Sequence, residues 1–357
     1  MAQIHYFLGA YSPTGFYSLY HELLPPERAE TICILKGGPG CGKSSFMRRV
    51  ARRAEAAGEE CVFILCSADP DSLDGLILPR RGIALVDGTA PHVIEPAYPG
   101  VVEQYVDLGS CYRREGLLPL RQNIMEATGE CKTHYKRVFH CLEASSQLRR
   151  DNREMLLSDA VREKCARRAA GIVRREIRAP GRERGEVTHR FLSATTYKGR
   201  VFLRESVSAQ ARRVYELSDS FGLAHELLTP ILSAAAAAGW DAVACPDPMA
   251  PERLAHLIIP SLSLAFVSTT PDAPWEPRPY RRLRLDAMAD AELLRLCRPR
   301  LRFSGKVAAA LEDEAVAALG RAKAGHDRLE ALYNPHVDFE AVYRRADALA
   351  EELLPSN

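Results

Sequence analysis

The stretch GGPGCGKSS has residue types and a spacing suited to phosphate binding. It fits the pattern G-x-x-x-x-G-K-[ST] from Gly37 to Ser44. Glycines let backbone N–H groups approach phosphate oxygens, and a following helix adds the positive end of its dipole. We expect Lys43 to reach the β and γ phosphates of a nucleotide and Ser44 to hold Mg²⁺. The predicted nucleotide-binding residues are Gly37, Gly38, Pro39, Gly40, Cys41, Gly42, Lys43, Ser44 and Ser45.

An acidic residue that handles Mg²⁺ is expected at the end of a later parallel strand. GIALVDG supplies four apolar residues and then Asp87, 44 residues after Lys43 and beyond a second predicted strand, CVFILC. A strand-ending aspartate also serves as a turn or helix cap. The spacing favours Asp87 as a metal ligand and, with Lys43, as a catalytic residue.

Further carboxylates lie between these two strands, in CSADPDSLDGLILP. Asp69, Asp71 and Asp74 follow a strand whose carboxyl end should open onto the same crevice as the glycine-rich loop. They are suited to binding Mg²⁺ through water, orienting a nucleophile or accepting a proton, and equally to capping turns. His92, in DGTAPH, is either a sensor of the γ-phosphate or a loop histidine.

The flanking segments have the patterns that a phosphate loop requires. TICILK, residues 31–36, is β-branched and apolar, as buried parallel strands are. The segment from Lys43 places Phe46, Met47, Val50 and Ala54 on one helical face, and Gly58 ends it.

Composition indicates a soluble, cytoplasmic protein. The 357 residues exceed the usual limit of one core, so two domains are expected, at 1–180 and 186–357. A net charge of +2 does not by itself imply nucleic acid. The chain has no long uncharged apolar run, and its ten cysteines form no C-x-x-C pair, which favours reduced, buried thiols.

The second half repeats the first. An ungapped shift of 181 residues pairs 57–89 with 238–270, and 11 of the 33 positions are identical. A shorter match pairs HYFLGAYSPTG with HRFLSATTYKG at a shift of 184. We infer a tandem duplication in which the halves form an intramolecular pseudo-dimer.

The repeat keeps apolar strand positions and loses charged ones. Ala224 stands opposite Lys43, His225 opposite Ser44 and Ser268 opposite Asp87. Positions 69, 74 and 92 likewise face alanines, whereas Asp71 faces Glu252. Because charge-assisted bonds are among the strongest that hold phosphate, we expect a pseudo-site in the second half.

Four stretches of the chain together resemble the bacterial predicted ATPases that are built from two tandem P-loop halves. These stretches are FLGAYSPTGF, ILKGGPGCGKSSFM, CSADPDSLDG and LVDGTAPH. The resemblance covers nearly the whole chain. It implies an α/β fold in which each half is a P-loop NTPase, a parallel sheet flanked by helices, with ATP as the ligand. Typical members have a P-loop in both halves, and this chain departs from them at SDSFGLAHE.

Three functions remain open on the sequence. The chain has no N-K-x-D element, which favours ATP over GTP, and Gly88 stands where fast ATPases often place a glutamate. A slow Mg²⁺-dependent ATPase is therefore the first hypothesis. The others are a kinase for a small metabolite, with Asp69 or Asp71 as base, and a nucleotide-gated protein that binds an unknown partner.

The pattern is helical from about 117 to 177, and the second half also ends in helices. Residues 132–190 hold 16 Lys and Arg against 8 Asp and Glu. Without interleaved aromatic residues, this charge predicts a solvated helical face rather than a nucleic-acid site. APGRERGEVTH, residues 179–189, is the predicted linker.

Overall fold

The computed structural model describes residues 3–90, 93–178, 183–271 and 273–354. Two six-stranded sheets, one in each half of the chain, are flanked by helices. The elements of the first half are β1 (Ile4–Tyr6), β2 (Gly9–Ser12), β3 (Gly15–Ser18), β4 (Thr31–Lys36), α1 (Lys43–Ala56), β5 (Val62–Leu65), β6 (Leu73–Leu78), β7 (Ile83–Asp87), β8 (Glu103–Asp107), α2 (Arg114–Leu117), α3 (Arg121–Leu156) and α4 (Asp159–Glu176).

The second half follows the same plan. Its elements are β9 (Val187–His189), β10 (Ser193–Thr196), β11 (Gly199–Phe202), α5 (Arg204–Gln210), β12 (Arg213–Ser218), α6 (Ala224–Ala237), β13 (Ala242–Asp247), β14 (Ala250–Ile259), β15 (Leu264–Thr269), β16 (Arg281–Arg284), α7 (Ala291–Tyr333) and α8 (Phe339–Leu353).

The two sheets share one topology. The first has the order β1-β5-β6-β7-β4-β8, and the second has the order β9-β13-β14-β15-β12-β16. In each, the third strand, β6 or β14, runs antiparallel to both neighbours, and the other pairings are parallel. This correspondence is compatible with a duplicated α/β fold. Each sheet is mostly parallel, as predicted, with one antiparallel strand that the sequence did not predict.

Two segments differ from the sequence prediction. Part of the stretch after β5 forms the strand β6, so Asp74 lies on a strand; Asp74 and Gly75 both disfavour strands locally, but the segment is buried between β5 and β7. Residues 187–189 of the predicted linker form β9, which pairs with β13. Residues 179–182 of that linker lie outside the described residues.

Helices α1 and α6 are each covered by a helix from the opposite half of the chain. α8 packs on α1, where its apolar residues Val342, Ala346 and Leu349 join the core of the first sheet. α4 packs on α6, where Cys165 and Ile172 join the core of the second sheet. The last helix of each half is thus exchanged onto the opposite half.

The helices α3 and α7 form the longest contact in the molecule. With 36 and 43 residues, they extend about 54 and 65 Å. They run antiparallel, since Cys131 lies against Gly325 and Asn152 bonds Ser304. Arg149 donates to both carboxylate oxygens of Glu312, at 2.6 and 2.9 Å, which fixes the register. Among the described residues, no helix is long and apolar enough to cross a membrane.

Candidate functional site

The glycine-rich loop joins the end of β4 to the start of α1. Gly40 and Gly42 have φ values of +69° and +85°, in the left-handed region that suits glycine. Gly42 is the N-cap of α1 and offers no side-chain oxygen to the first turn. The amide groups at this helix end therefore suit an external anion.

The loop is closely packed by other parts of the chain. Tyr112 donates a hydrogen bond from its hydroxyl to the carbonyl of Pro39 at 2.9 Å. With its amide nitrogen towards the loop, Asn334 donates to the carbonyls of Gly40, at 2.9 Å, and Glu330. A Cβ on Gly40 would lie 2.4 Å from the Asn334 side chain. The thiol of Cys41 is buried against Gly37 on the inner side of the loop, and burial raises its pKa.

The ammonium group of Lys43 lies over this loop. Its Nζ donates to the carbonyls of Gly37, at 2.9 Å, and Gly38, at 3.0 Å. Nζ also lies 3.6 Å from Oδ2 of Asp87, and the two side chains are only 12% and 13% exposed. The structure thus brings the predicted lysine and the predicted strand-end carboxylate together in a partly buried pair.

The two predicted metal ligands accept hydrogen bonds from neighbouring amide and hydroxyl groups. Oγ of Ser44 accepts a hydrogen bond from the amide of Leu73 at 3.0 Å. Oδ1 of Asp87 accepts from the amide and the hydroxyl of Thr89, at 2.8 and 2.5 Å. Both contacts leave oxygen lone pairs available. Ser45 is exposed on α1.

The carboxylates that follow β5 have individual partners. Oδ1 of Asp69 accepts from the amide of Asp71, and its other oxygen lies 3.3 Å from Nζ of Lys323. Asp71 is exposed and pairs with Lys198, which lowers the pKa of Asp71. Both lysines belong to the second half. The turn role considered for Asp69 is present, and His92 lies outside the described residues.

Asp74 is separate from these two carboxylates. It is buried and accepts a hydrogen bond from the hydroxyl of Tyr20 at 3.0 Å. This contact ties β6 to the segment that follows the β2–β3 hairpin.

The corresponding loop of the second half is shorter and is filled by the chain itself. Five residues, 219–223, join β12 to α6, whereas six residues, 37–42, join β4 to α1. The carboxylate of Asp219 accepts from the amides of Leu223, at 2.8 Å, and Ala224, at 2.7 Å. Burial raises the pKa of Asp219 to about 6. A carboxylate of the protein therefore occupies the helix end that remains uncapped in the first half.

Other positions keep their structural contacts without their charged groups. Nδ1 of His225 accepts from the amide of Leu254 at 3.1 Å, as Ser44 does from Leu73. Ser268 occupies the position of Asp87 and donates its hydroxyl to the carbonyl of Ala255. The second loop thus retains the scaffold and lacks the lysine ammonium and the strand-end carboxylate.

Four residues around the site were not identified from the sequence: Tyr112 and Asn334, which bond the glycine-rich loop, and Lys198 and Lys323, which pair with Asp71 and Asp69. No local signal marks them, because each reaches the loop region through tertiary packing. Asp219 had no such signal either, because it lies four residues before Leu223, which is the N-cap of α6, and it bonds the amides of Leu223 and Ala224 only through the path of the loop. Comparison of the chain with known protein families, with curated proteins and with solved structures gives no match.

Proposed function

We propose that the chain binds Mg²⁺-ATP at the glycine-rich loop of the first half and hydrolyses it slowly. One observation carries this proposal: the Lys43 ammonium lies 3.6 Å from the Asp87 carboxylate, at the uncapped start of α1. A cation, a carboxylate and free helix amides at one point are the groups that a magnesium triphosphate needs. The second half lacks the cation and the carboxylate at these positions, and its helix amides are bonded by Asp219.

The chemistry of the donors fits both ligands. The loop amides and the start of α1 would hold the phosphates, with Lys43 against their terminal oxygens. The Ser44 hydroxyl and the Asp87 carboxylate are hard oxygen donors of the kind that Mg²⁺ prefers. Held by these two residues, Mg²⁺ would supply positive charge to the phosphate oxygens. The preference for ATP over GTP is inferred only from the missing N-K-x-D element and from the family resemblance.

We propose water as the acceptor and a low turnover number. In this reaction a water oxygen bonds to the γ-phosphorus, the bond to the β–γ bridging oxygen breaks, and ADP leaves. The residue after Asp87 is Gly88, and a Cβ there would lie 2.3 Å from a methyl group of Ile34, so a glutamate does not fit without displacing the buried Ile34 side chain. Without a carboxylate at that position to polarise the water, we expect kcat below about 1 s⁻¹, the low end of the usual enzyme range.

The contacts of Asp69 and Asp71 favour hydrolysis over transfer to a metabolite. A general base works best with a pKa near the working pH, whereas Lys198 lowers the pKa of Asp71. Asp69 is already engaged by Lys323 and by a turn amide. One contact supports the alternative of a nucleotide-gated protein that binds a partner. The bond from Asn334 to Gly40 links the glycine-rich loop to the end of α7.

Phosphate release from ATP, with and without Mg²⁺, tests the proposal. We expect Mg²⁺-dependent release by the native chain and its loss in Lys43→Ala. Ser44→Ala should also lose it, whereas the matched variant His225→Ala should retain it, since both side chains accept an equivalent amide bond. Absence of ATP binding at millimolar concentrations, or equal losses in Ser44→Ala and His225→Ala, would contradict the proposal. ADP formation only with an added metabolite would indicate the kinase instead.

A further inference from the structure

A concave, strongly basic surface lies between α4 and the edge strand β16. It consists of two adjoining cavities of about 420 and 610 Å³, which share Arg168, Ala287 and Met288. We call this surface the basic groove. Seven cationic side chains line it: Lys164, Arg167, Arg168, Arg175, Arg281, Arg282 and Arg284.

Only part of this charge is neutralised locally. Arg175 pairs with Glu176, and Arg282 pairs with Glu216. Within the described part of the chain, no carboxylate forms an ion pair with Arg167, Arg168 or Arg284, and all three are exposed. Like charges that lie close together without counterions destabilise the folded state. The stability of the fold therefore does not explain why these arginines are clustered.

The first half supplies an internal comparison, because the equivalent helix α8 lies beside the equivalent edge strand β8. The buried positions of α4, at 165, 169, 172 and 176, recur in α8 at 342, 346, 349 and 353, a constant offset of 177. The strand register gives the same offset. Arg281 pairs with Tyr215 in the second sheet, as Gln104 pairs with Cys33 in the first.

The equivalent surface of the first half is not basic. At the seven equivalent positions it has two cations and two acids: Ala341, Arg344, Arg345, Glu352, Gln104, Tyr105 and Asp107. Packing of a helix against an edge strand therefore does not require the arginines. Protection of an edge from aggregation does not require them either, since β8 is also an edge strand and has no arginine.

We propose that the basic groove binds the phosphodiester backbone of duplex nucleic acid without regard to sequence. Guanidinium groups bind phosphate with paired hydrogen bonds, and a row of them replaces the counterions of a polyanion. Among the residues that the structure describes, no aromatic ring lines the two cavities, so we expect contacts to the backbone rather than stacking on bases. A concave channel suits a strand of phosphates better than it suits the flat surface of a bilayer. The charge count that predicted a solvated face covers residues 132–190 and does not include β16.

Fluorescence anisotropy with labelled DNA and RNA duplexes of one sequence tests this proposal in the absence of ATP. At salt concentrations between about 50 and 200 mM, we expect a micromolar Kd that weakens with salt. Arg167→Ala/Arg168→Ala should raise Kd about tenfold or more and lower the salt slope by about 2. The matched control Arg344→Ala/Arg345→Ala, at the equivalent positions of α8, should leave both unchanged. The DNA and RNA arms identify which duplex is preferred.

Several results would overturn the groove proposal. These are no binding of either duplex at low salt, equal weakening in both double variants, or binding to phosphatidylserine vesicles or polyglutamate but to neither duplex. All four substituted arginines are exposed, and circular dichroism of each variant checks its fold. The Lys43→Ala chain should bind duplex as the native chain does, so failure here is distinct from failure of the proposed ATPase.

Discussion

Phe7 and Phe191 donate a backbone hydrogen bond to each other, and both bonds are 2.9 Å long. The two residues are equivalent in the internal repeat, at the offset of 184. A reciprocal contact between equivalent residues is the mark of a two-fold axis. The axis that relates the two halves therefore passes between these two amides.

Loss of either ring should destabilise the whole chain to a similar extent. Both side chains are fully buried in one apolar core, and truncation of a buried phenylalanine to alanine costs about 3 to 5 kcal/mol. We expect losses of this size for Phe7→Ala and for Phe191→Ala in urea unfolding. Val101→Ala, at a side chain that is 80% exposed, is the control and should change stability by less than about 0.5 kcal/mol. A negligible loss in either phenylalanine variant would contradict the prediction.

The self-filled loop of the second half should make stability depend on pH through Asp219. Burial raises the pKa of Asp219 to about 6, from 3.8 in its reference state. The folded chain thus holds more protons than the unfolded chain between these values, so this group adds stability as the pH falls through 6. From pH 7 to pH 5 the gain is about 1 kcal/mol. Urea unfolding at both pH values should show this gain in the native chain relative to Asp219→Asn, and parallel changes would count against it.

Mg²⁺-ATP should slow hydrogen exchange in the segment of the second half that contacts the first loop. Asn334 bonds Gly40, and Phe339 and Val342 lie beside Gly42. Residues 330–342 should therefore gain protection on nucleotide binding, and Lys43→Ala should abolish that gain. Residues 153–161, which lie at the second loop through Arg153 and Gly222, are the matched region and should not change. Equal protection of both regions would indicate a global effect instead.

The elements next to the loop were predictable because local pattern determines them. TICILK is β4 to the residue, α1 begins at Lys43, and Asp87 ends β7, as the sequence predicted. Strand β6 was not predicted, because Asp74 and Gly75 resemble a turn until two neighbouring strands bury them.

The exchange of α4 and α8 was not predictable from the repeat. The two helices bury equivalent positions, so either would fit either sheet on pattern alone. Which sheet each helix covers depends on the geometry of α3 and α7, because these long helices lead α4 and α8 to the opposite half. For the same reason, Asn334 reaches the glycine-rich loop and Lys323 reaches Asp69 from far along the sequence.

The exchanged helices also bear on ancestry. If the chain arose by fusion of two copies of one gene, a single ancestral copy had no place for its last helix on its own sheet. Such an ancestor would then have been an obligate homodimer, in which the last helix of each subunit packed beside the glycine-rich loop of its mate. Fusion would have left one of the two loops free to lose its lysine while the need for both cores continued, and an aspartate now stands in that loop.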